Sequence, residues 1–294
     1  MEAKLPSRLG IVILAAIAVS FAANHVAARI AFDNGASIAT GVAVRAAGTA
    51  IFLVFLMRLQ RLTFALPPGL HGAALVAGVL VAVQSYCLYS AVALIPAALA
   101  LLVFQTCPML YVLLSWAAGK ERPGGAALFA MPLALLGLAT ALDFRVDALA
   151  ARWSEIGAGV SWAFGGALSY SIVLYLNANR LKALDGRLRT LLMTGITALL
   201  AGVAGGAAGV LAAPAGGTGW LALGLLTTFY GAAMISLFIV LPRVPPASTV
   251  ALNFEPIALL ALAWVFLGQA VAPLQVLGAF VVVGAIAWLG AAKR

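Results

Sequence analysis

The chain has 294 residues, of which 65% are hydrophobic and 9% are charged, and its formal net charge is +9. One soluble domain of this length has no core large enough to hide so much apolar surface, so a soluble globular fold is excluded and a polytopic membrane protein is predicted. The basic residues lie between apolar runs, so they are read as signals of membrane topology, and no nucleic-acid partner is expected.

Apolar runs long enough for a membrane-spanning helix, about 20 residues each, fill almost the whole chain. The alternating segments of about 10 residues that are typical of a membrane β-barrel do not occur. The predicted fold class is therefore an all-α integral membrane protein with ten transmembrane helices. These cover residues 9–31, 37–58, 69–93, 97–118, 124–142, 155–178, 189–211, 219–241, 246–268 and 273–291.

The distribution of Lys and Arg predicts the orientation of these helices. With the N-terminus in the cytoplasm, thirteen basic residues fall on the cytoplasmic side and only Arg145 and Arg152 fall on the opposite side. Because cytoplasmic segments carry the excess of basic residues, both termini are predicted to be cytoplasmic.

The fourth and ninth predicted spans share a proline-marked pattern, in residues 91–121 and 238–269. The spacing from Pro108 to Trp116 is repeated from Pro256 to Trp264. We interpret this as a tandem duplication, with repeats at residues 1–150 (helices 1–5) and 151–294 (helices 6–10). Five is an odd number, so the repeats would be inverted around a central cavity, as one integrated transport domain. Two similar apolar helices without duplication are the alternative.

Several short elements occur in a recognisable order. They are Val44–Ala47 (VRAA), Tyr86–Ala93 (YCLYSAVA), the proline-marked spans, Gly119–Glu121 (GKE) and Gln275–Ala279 (QVLGA). Together they resemble the EamA family of the drug/metabolite transporter superfamily over the whole chain. The resemblance implies two EamA units of five helices around a central cavity, and export of amino acids, other metabolites or toxic compounds across the bacterial inner membrane.

The resemblance has one departure. Gly268–Gln269 stands where the second unit usually carries Gly-Glu, so a carboxylate role is in doubt at this position. Glu121 remains in the first unit, but it lies between Lys120 and Arg122 and is expected to be a solvated loop charge.

Ionisable residues inside spans are energetically expensive and are therefore functional candidates. Glu255, the only carboxylate placed within a span, either binds a substrate amine or a coupling proton, or pairs structurally with an arginine. Arg45 is interpreted as a structural residue that bonds helix carbonyls or Glu255, with substrate contact as the alternative. His25 is either a packing residue or part of the pathway, and Arg29 is expected to extend towards the interface.

Neutral polar and aromatic residues near the middle of the spans suggest a cavity for a small amphipathic or aromatic solute. Helix packing and interfacial positions are the alternative for each of them. The predicted substrate-binding and cavity residues are Asn24, His25, Gln84, Tyr86, Tyr89, Gln105, Trp162, Ser169, Tyr170, Tyr230 and Asn253.

The sequence favours a secondary transporter that exports small organic solutes by alternating access. Aromatic and neutral amino acids are the expected substrates, as in exporters of the YddG type. The alternative is a multidrug or lipophilic-cation effluxer with Glu255 as its anionic group, and a channel is left open. Coupling to a proton and facilitated export are both left open, and the expected functional unit is a monomer in the lipid bilayer.

An enzymatic function is not expected. The spans contain no Ser/His/Asp arrangement, HExxH motif or paired carboxylates, and the chain has no nucleotide-binding loop. No cofactor and no metal is predicted. Cys87 and Cys107 are interpreted as small hydrophobic residues without a disulfide.

Overall fold

The computed structural model describes residues 6–120, 125–141, 149–240, 243–244 and 251–292, and no β-strand occurs among these residues. The described helices in chain order are α1 (Ser7–Asp33), α2 (Ile38–Leu59), α3 (His71–Leu94), α4 (Ala97–Phe104), α5 (Cys107–Ala117), α6 (Gly125–Ala141), α7 (Leu149–Asn179), α8 (Gly186–Ala207), α9 (Gly217–Val240), α10 (Glu255–Leu267) and α11 (Pro273–Ala292). Some of the residues discussed above lie outside the described ranges, namely Glu121, Arg122, Arg145 and the prolines at 242, 245 and 246.

Seven helical segments of the described residues are long and apolar enough to cross a membrane. They are Arg8–Asp33, Ile38–Leu59, His71–Leu94, Ala97–Ala117, Trp153–Asn179, Gly186–Ala207 and Gly217–Leu237. Three shorter apolar helices cover Leu128–Ala141, Ala251–Leu267 and Pro273–Trp288. Helices satisfy their own backbone hydrogen bonds, which is what lipid requires. The chain is therefore an all-helical, multi-pass membrane protein, and this part of the prediction is confirmed.

Prolines interrupt two of the helical segments. Pro108 lies in the first turn of α5, and Pro256 lies in the first turn of α10. A proline is tolerated there because its missing N–H would have no partner in the first turn. At the first interruption the Thr106 hydroxyl donates to the carbonyl oxygen of Val103 at 2.9 Å, which satisfies one backbone group at the end of α4. The proline-marked elements of the sequence therefore correspond to helix starts within the bundle.

The helices pack in pairs that join the two halves of the chain. Helix α1 packs against α9, α3 against α7, α2 against α8, and α6 against α11. Helix α4 contacts α7 and α10, and every residue from Ala97 to Val103 is buried. The apolar helix α4 therefore lies in the interior of the bundle, where helices from both halves surround it.

Glycines allow α6 and α11 to approach closely. A Cβ atom added to Gly278 would lie 2.5 Å from the carbonyl oxygen of Gly137 and 2.6 Å from the backbone nitrogen of Ala141. Real Cβ contacts are longer than this, so the backbones of the two helices fit together only because position 278 has no side chain.

Arg29 connects the last turns of α1 and α3. Its Nε lies 3.0 Å from both carboxylate oxygens of Asp33, one turn further along α1. Its Nη1 donates to the carbonyl oxygen of Val92 at 2.8 Å, near the end of α3. Arg29, which was expected to extend towards the interface, thus forms a bridge at the helix ends, because the free carbonyls at a helix C-terminus attract a cation.

The loop before α8 contains an ion pair outside the membrane-spanning segments. The Asp185 side chain caps α8 by accepting from the Arg187 backbone N–H at 2.8 Å, and the Arg187 guanidinium lies 3.1 Å from its carboxylate. The Arg187 side chain also donates to the Gln60 side chain, just beyond the end of α2. Hydrogen bonds from the Arg187 side chain are the main reason that the pKa of Asp185 is lowered below its ordinary value.

Asp185→Asn is expected to lower thermal stability slightly at pH 7, by about 1 kcal/mol or less because the pair is exposed. Asparagine caps helices as well as aspartate does, so the substitution removes the charge and keeps the cap. A lowered folded-state pKa stabilises the fold above the ordinary Asp pKa of about 3.9, and this stabilisation is lost as the pH falls through the lowered value. Melting curves of the purified protein at pH 7 and at about pH 3 check this, and a deficit that stays constant with pH would contradict it.

Candidate functional site

A buried arginine marks a polar cluster inside the bundle. Arg45 lies seven residues after the start of α2, about 10 Å into the helix at 1.5 Å per residue. Its side chain is buried, and its Nη2 donates to the Ser85 hydroxyl on α3 at 2.8 Å. Its Nε is buried without a hydrogen-bond partner. The structure pairs no described carboxylate with Arg45, so the predicted partnership with Glu255 is not observed.

Two tyrosine rings flank the Arg45 guanidinium. Its carbon atom lies 4.0 Å from the centre of the Tyr230 ring on α9 and 4.9 Å from the centre of the Tyr89 ring on α3. Such cation–π contacts attract a guanidinium to the ring faces but supply no net negative charge. The sequence prediction placed all three residues near the middle of their helices, and the fold brings them together.

Tyr89 is also fixed through its hydroxyl, which donates to Asn24 Oδ1 on α1 at 2.9 Å. Both side chains are almost completely buried. Phe32 packs on the Tyr89 ring with centroids 5.5 Å apart. Because a buried hydroxyl and amide cost free energy when unpaired, this bond holds α1 and α3 in one register beside Arg45.

The second charged contact of the cluster joins α1 to α10. His25 Nε2 lies 3.4 Å from Glu255 Oε1, and His25 packs edge-on against Tyr89 with ring centres 6.1 Å apart. The carboxylate of Glu255 is partly exposed, whereas the imidazole is buried and its Nδ1 has no hydrogen-bond partner. The pair forms in either protonation state of His25, because Nε2 can donate in both. Among the described residues Glu255 and Arg45 therefore have different partners, and both sets of partners contact Tyr89 or include it.

The remaining predicted residues fall into two groups. Those at or near the cluster include Tyr170, whose ring centre lies 5.8 Å from that of Phe104. Gln84 accepts from the Ser85 hydroxyl at 3.4 Å. Gln105 and Asn253 are half-buried, each three residues before the proline that begins α5 or α10.

Two other predicted residues, Tyr86 and Trp162, lie on the outer surface of the bundle. Their rings pack 6.0 Å apart, and 42% of Tyr86 and 40% of Trp162 are exposed. Both line an apolar cavity of about 380 Å³ between α2, α3, α7 and α8. Ser169 instead connects two helices, since its hydroxyl donates to the carbonyl oxygen of Leu80 at 2.8 Å. The structure therefore places these three residues outside the Arg45 cluster.

A second apolar cavity, of about 430 Å³, opens between α1, α9 and α10. It is lined almost entirely by hydrophobic residues, including the exposed Leu221 and Phe266. Both outer cavities are thus lined mainly by hydrophobic residues, and neither is lined by a charged residue that could select a solute.

The sequence prediction missed two members of the cluster. Ser85 precedes Tyr89 by four residues on α3, so the two share a helix face, and this spacing is the signal that could have found it. Phe21 packs edge-on against Tyr230 with centroids 5.9 Å apart and closes the aromatic wall on the α1 side. Phenylalanine is common throughout membrane helices, so no sequence signal distinguishes Phe21 from the lipid-facing phenylalanines.

One known family is similar to the N-terminal part of the chain. Residues 8–142 match the EamA-like transporter family. The match indicates a membrane-transporter unit in this part of the chain.

Fourteen chains of solved structures are similar in fold to this chain. One of them, titled "Crystal structure of protein", has a TM-score of 0.63 and 20% sequence identity, with 97% of each chain covered. At this identity the likeness concerns the fold alone. None of the curated proteins compared with the chain matches it.

Proposed function

We propose that this protein is a secondary transporter of the EamA family that exports small organic solutes, chiefly aromatic and neutral amino acids, by alternating access. The observation that carries the proposal is the cluster of Arg45, Tyr89, Tyr230, His25 and Glu255, which holds a cation and a carboxylate beside aromatic rings inside the membrane. Ionisable groups at this depth are expensive, and they are typical of substrate pathways. A zwitterion with an apolar or aromatic side chain is complementary to such a set of groups.

The proposed architecture is ten transmembrane helices in two inverted repeats, residues 1–150 and 151–294. Helix lengths and positions support it: α2 and α8 both have 22 residues, and α3 and α9 both have 24. Three later helices each begin 148 residues after an earlier one: α8 at 186 after α2 at 38, α10 at 255 after α5 at 107, and α11 at 273 after α6 at 125. The seven long and three shorter apolar segments also agree with ten spans.

Helix packing supports the same duplication. In the proposed duplication α1 is equivalent to α7, α2 to α8, α3 to α9 and α6 to α11. Exchanging equivalent helices turns the observed α1–α9 contact into the observed α3–α7 contact, and it leaves the α2–α8 and α6–α11 contacts unchanged. In this arrangement Gln105 is equivalent to Asn253, and the Arg45 cluster lies where helices of the two repeats meet. A site between inverted repeats suits alternating access, because each repeat can adopt the conformation of the other.

The proposed location is the bacterial inner membrane with both termini in the cytoplasm, supported by the thirteen-to-two distribution of basic residues. A monomer suffices, because a duplicated chain carries both repeats. Asn24, His25, Tyr89, Tyr230 and Glu255 are the proposed solute-contacting residues, with Tyr170, Gln84, Gln105 and Asn253 further along the same interior. Tyr86, Trp162 and Ser169 are not part of this proposed site.

Counterflow in proteoliposomes tests the proposed function. Vesicles that contain the purified protein and unlabelled phenylalanine are expected to accumulate radiolabelled phenylalanine transiently and saturably, whereas empty vesicles are not. Repeating the assay with and without a pH gradient determines whether a proton is coupled to transport. Absence of counterflow for all aromatic and neutral amino acids would contradict the substrate assignment.

A lipophilic-cation effluxer is the second candidate, and the partly exposed Glu255 carboxylate beside aromatic rings favours it. Glu255→Gln separates the two candidates. If the solute is a lipophilic cation, the rate of cation transport by this variant is expected to fall at least about tenfold. The reason is that Glu255 is the only described carboxylate in the cluster, so its loss removes the counter-charge. Unchanged amino-acid counterflow in the same vesicles, together with lost cation transport, would place lipophilic cations first.

A further inference from the structure

We propose that Arg45, between the rings of Tyr89 and Tyr230, binds the carboxylate of the transported solute. The proposal rests on the proposed transport function and adds the chemical class of the solute and the residue that recognises it. It makes Arg45 a binding residue, whereas the sequence favoured a structural role.

Arg45 has an unused donor in a closed environment. The residue is only 7% exposed, and among the described residues its Nη2 donates to the Ser85 hydroxyl at 2.8 Å. The Nε–H group is buried and has no hydrogen-bond partner among the described residues. A buried donor without an acceptor costs about 1–3 kcal/mol, and the cost is higher for a charged group. In a transporter, the solute can supply the acceptor for such an unpaired donor when it binds.

The charge of Arg45 is also uncompensated. Arginine stays protonated in proteins, so it cannot relieve its burial by losing a proton. Among the described residues Glu255 pairs with His25 and Asp33 pairs with Arg29, and no carboxylate lies within ion-pair distance of Arg45. The tyrosine faces hold the guanidinium at 4.0 and 4.9 Å without neutralising it. A solute anion supplies the missing charge.

The surroundings of Arg45 define which anion fits. A guanidinium matches a carboxylate in shape and hydrogen-bonding geometry, and one cation balances one carboxylate. The neighbouring surfaces are aromatic: the Phe21 ring packs on Tyr230, and the Phe32 ring packs on Tyr89. The solute class is therefore a monocarboxylate with an aromatic or apolar body. The same groups disfavour a lipophilic cation, because Arg45 would repel it.

Ser85 fixes the direction of the guanidinium. Its hydroxyl accepts from Arg45 and donates to Gln84, so the Arg45 side chain is held from the α3 side while Nε stays free. Thr49, one turn further along α2, offers a matched control position. Its hydroxyl donates to the Arg45 backbone carbonyl at 2.9 Å and does not contact the guanidinium.

Ligand-induced thermal stabilisation of the detergent-solubilised protein tests the proposal with three probes. Phenylalanine and 3-phenylpropionate carry the carboxylate, and phenylalaninamide has the same ring and amine without it. The two carboxylates are expected to raise the melting temperature of the wild-type protein and the amide to have little effect. In Arg45→Gln the apparent affinity for phenylalanine is expected to fall at least about tenfold, as for loss of a charge-assisted hydrogen bond. Thr49→Val is expected to behave like the wild type.

Arg45→Lys provides a second variant that keeps the charge but lacks the planar donor set, and an intermediate loss of affinity is expected. Equal stabilisation by phenylalanine and phenylalaninamide would overturn the proposal, and so would unchanged phenylalanine affinity in Arg45→Gln or no stabilisation by either carboxylate. The comparison of acid and amide on the wild type needs no variant, so it holds even if a substitution prevents folding.

Counterflow with the same proteins separates this proposal from the transport function. If phenylalanine binds through Arg45 but is not transported, the result supports the proposed binding site and contradicts the proposed transport function. If Arg45→Gln and the wild type transport phenylalanine equally well, the result supports the proposed transport function and overturns the proposed binding site.

Discussion

Gly278→Ala is expected to destabilise the protein by about 3 kcal/mol or more, because it inserts a methyl group between two helix backbones. The new Cβ would lie 2.5 Å from the carbonyl oxygen of Gly137 and 2.6 Å from the Ala141 nitrogen. Both are backbone atoms, so no side-chain rotation can relieve the contact, and α6 and α11 must separate. The melting temperature of the purified protein and its yield of monodisperse material measure this effect.

Gly284→Ala, on the same helix, is the matched control. A Cβ atom there would meet no atom within 4 Å, so this variant is expected to be neutral or slightly stabilising, because alanine favours the helix by up to about 1 kcal/mol over glycine. Equal melting temperatures of the two variants would show that the close approach of α6 and α11 does not limit stability.

His25→Leu is expected to have the second largest effect, a loss of about 2–3 kcal/mol, because it leaves the Glu255 carboxylate without its partner in the membrane interior. The partial exposure of Glu255 keeps the loss below that of a fully buried pair. Adding Glu255→Gln to His25→Leu removes the unpaired charge, so the double variant is expected to recover more than half of the loss. Melting temperatures of the wild type, both single variants and the double variant complete the cycle.

A double variant whose loss equals the sum of the two single losses would show that His25 and Glu255 are not coupled, and the observed 3.4 Å contact would then contribute nothing to stability. Asn253→Ala is the control, since Asn253 precedes Glu255 by two residues and is half-buried. It is expected to change stability by less than about 1 kcal/mol, in the same way with and without His25→Leu.

The sequence predicted the helical membrane fold because that fold follows from local chemistry, but it predicted residues 97–118 as one span, whereas the structure has α4 and α5 there. Apolar runs of sufficient length form helices in lipid whatever their partners, and Pro108 and Pro256 interrupt backbone hydrogen bonds wherever they occur. The contacts of the cluster depend instead on the rotation of each helix about its axis. His25 and Glu255 are 230 positions apart, and no local pattern indicates that they meet.

Tyr86 and Tyr89 show the same limit within one helix. They are three residues apart on α3, about 60° around the helix, yet Tyr89 is 1% exposed and Tyr86 is 42% exposed. In a soluble helix a polar face would reveal which side points outwards. In a membrane both lipid-facing and interior surfaces are apolar, so α3 has no such contrast, and the prediction included both tyrosines.

The bridge from Arg29 to the end of α3 has a consequence for the balance between conformations. Asp33 belongs to the same helix as Arg29, so a separation of α1 from α3 at this end leaves their ion pair intact. It breaks the bond to the Val92 carbonyl and the longer bond, of 3.5 Å, to the Ile95 carbonyl. One charge-assisted hydrogen bond of this kind contributes about 2 kcal/mol, which corresponds to roughly a 30-fold change in the ratio of two states. A bias of this size is small enough for the differential binding of a solute to reverse it, so the bridge would act as a reversible closure of the bundle at low energetic cost.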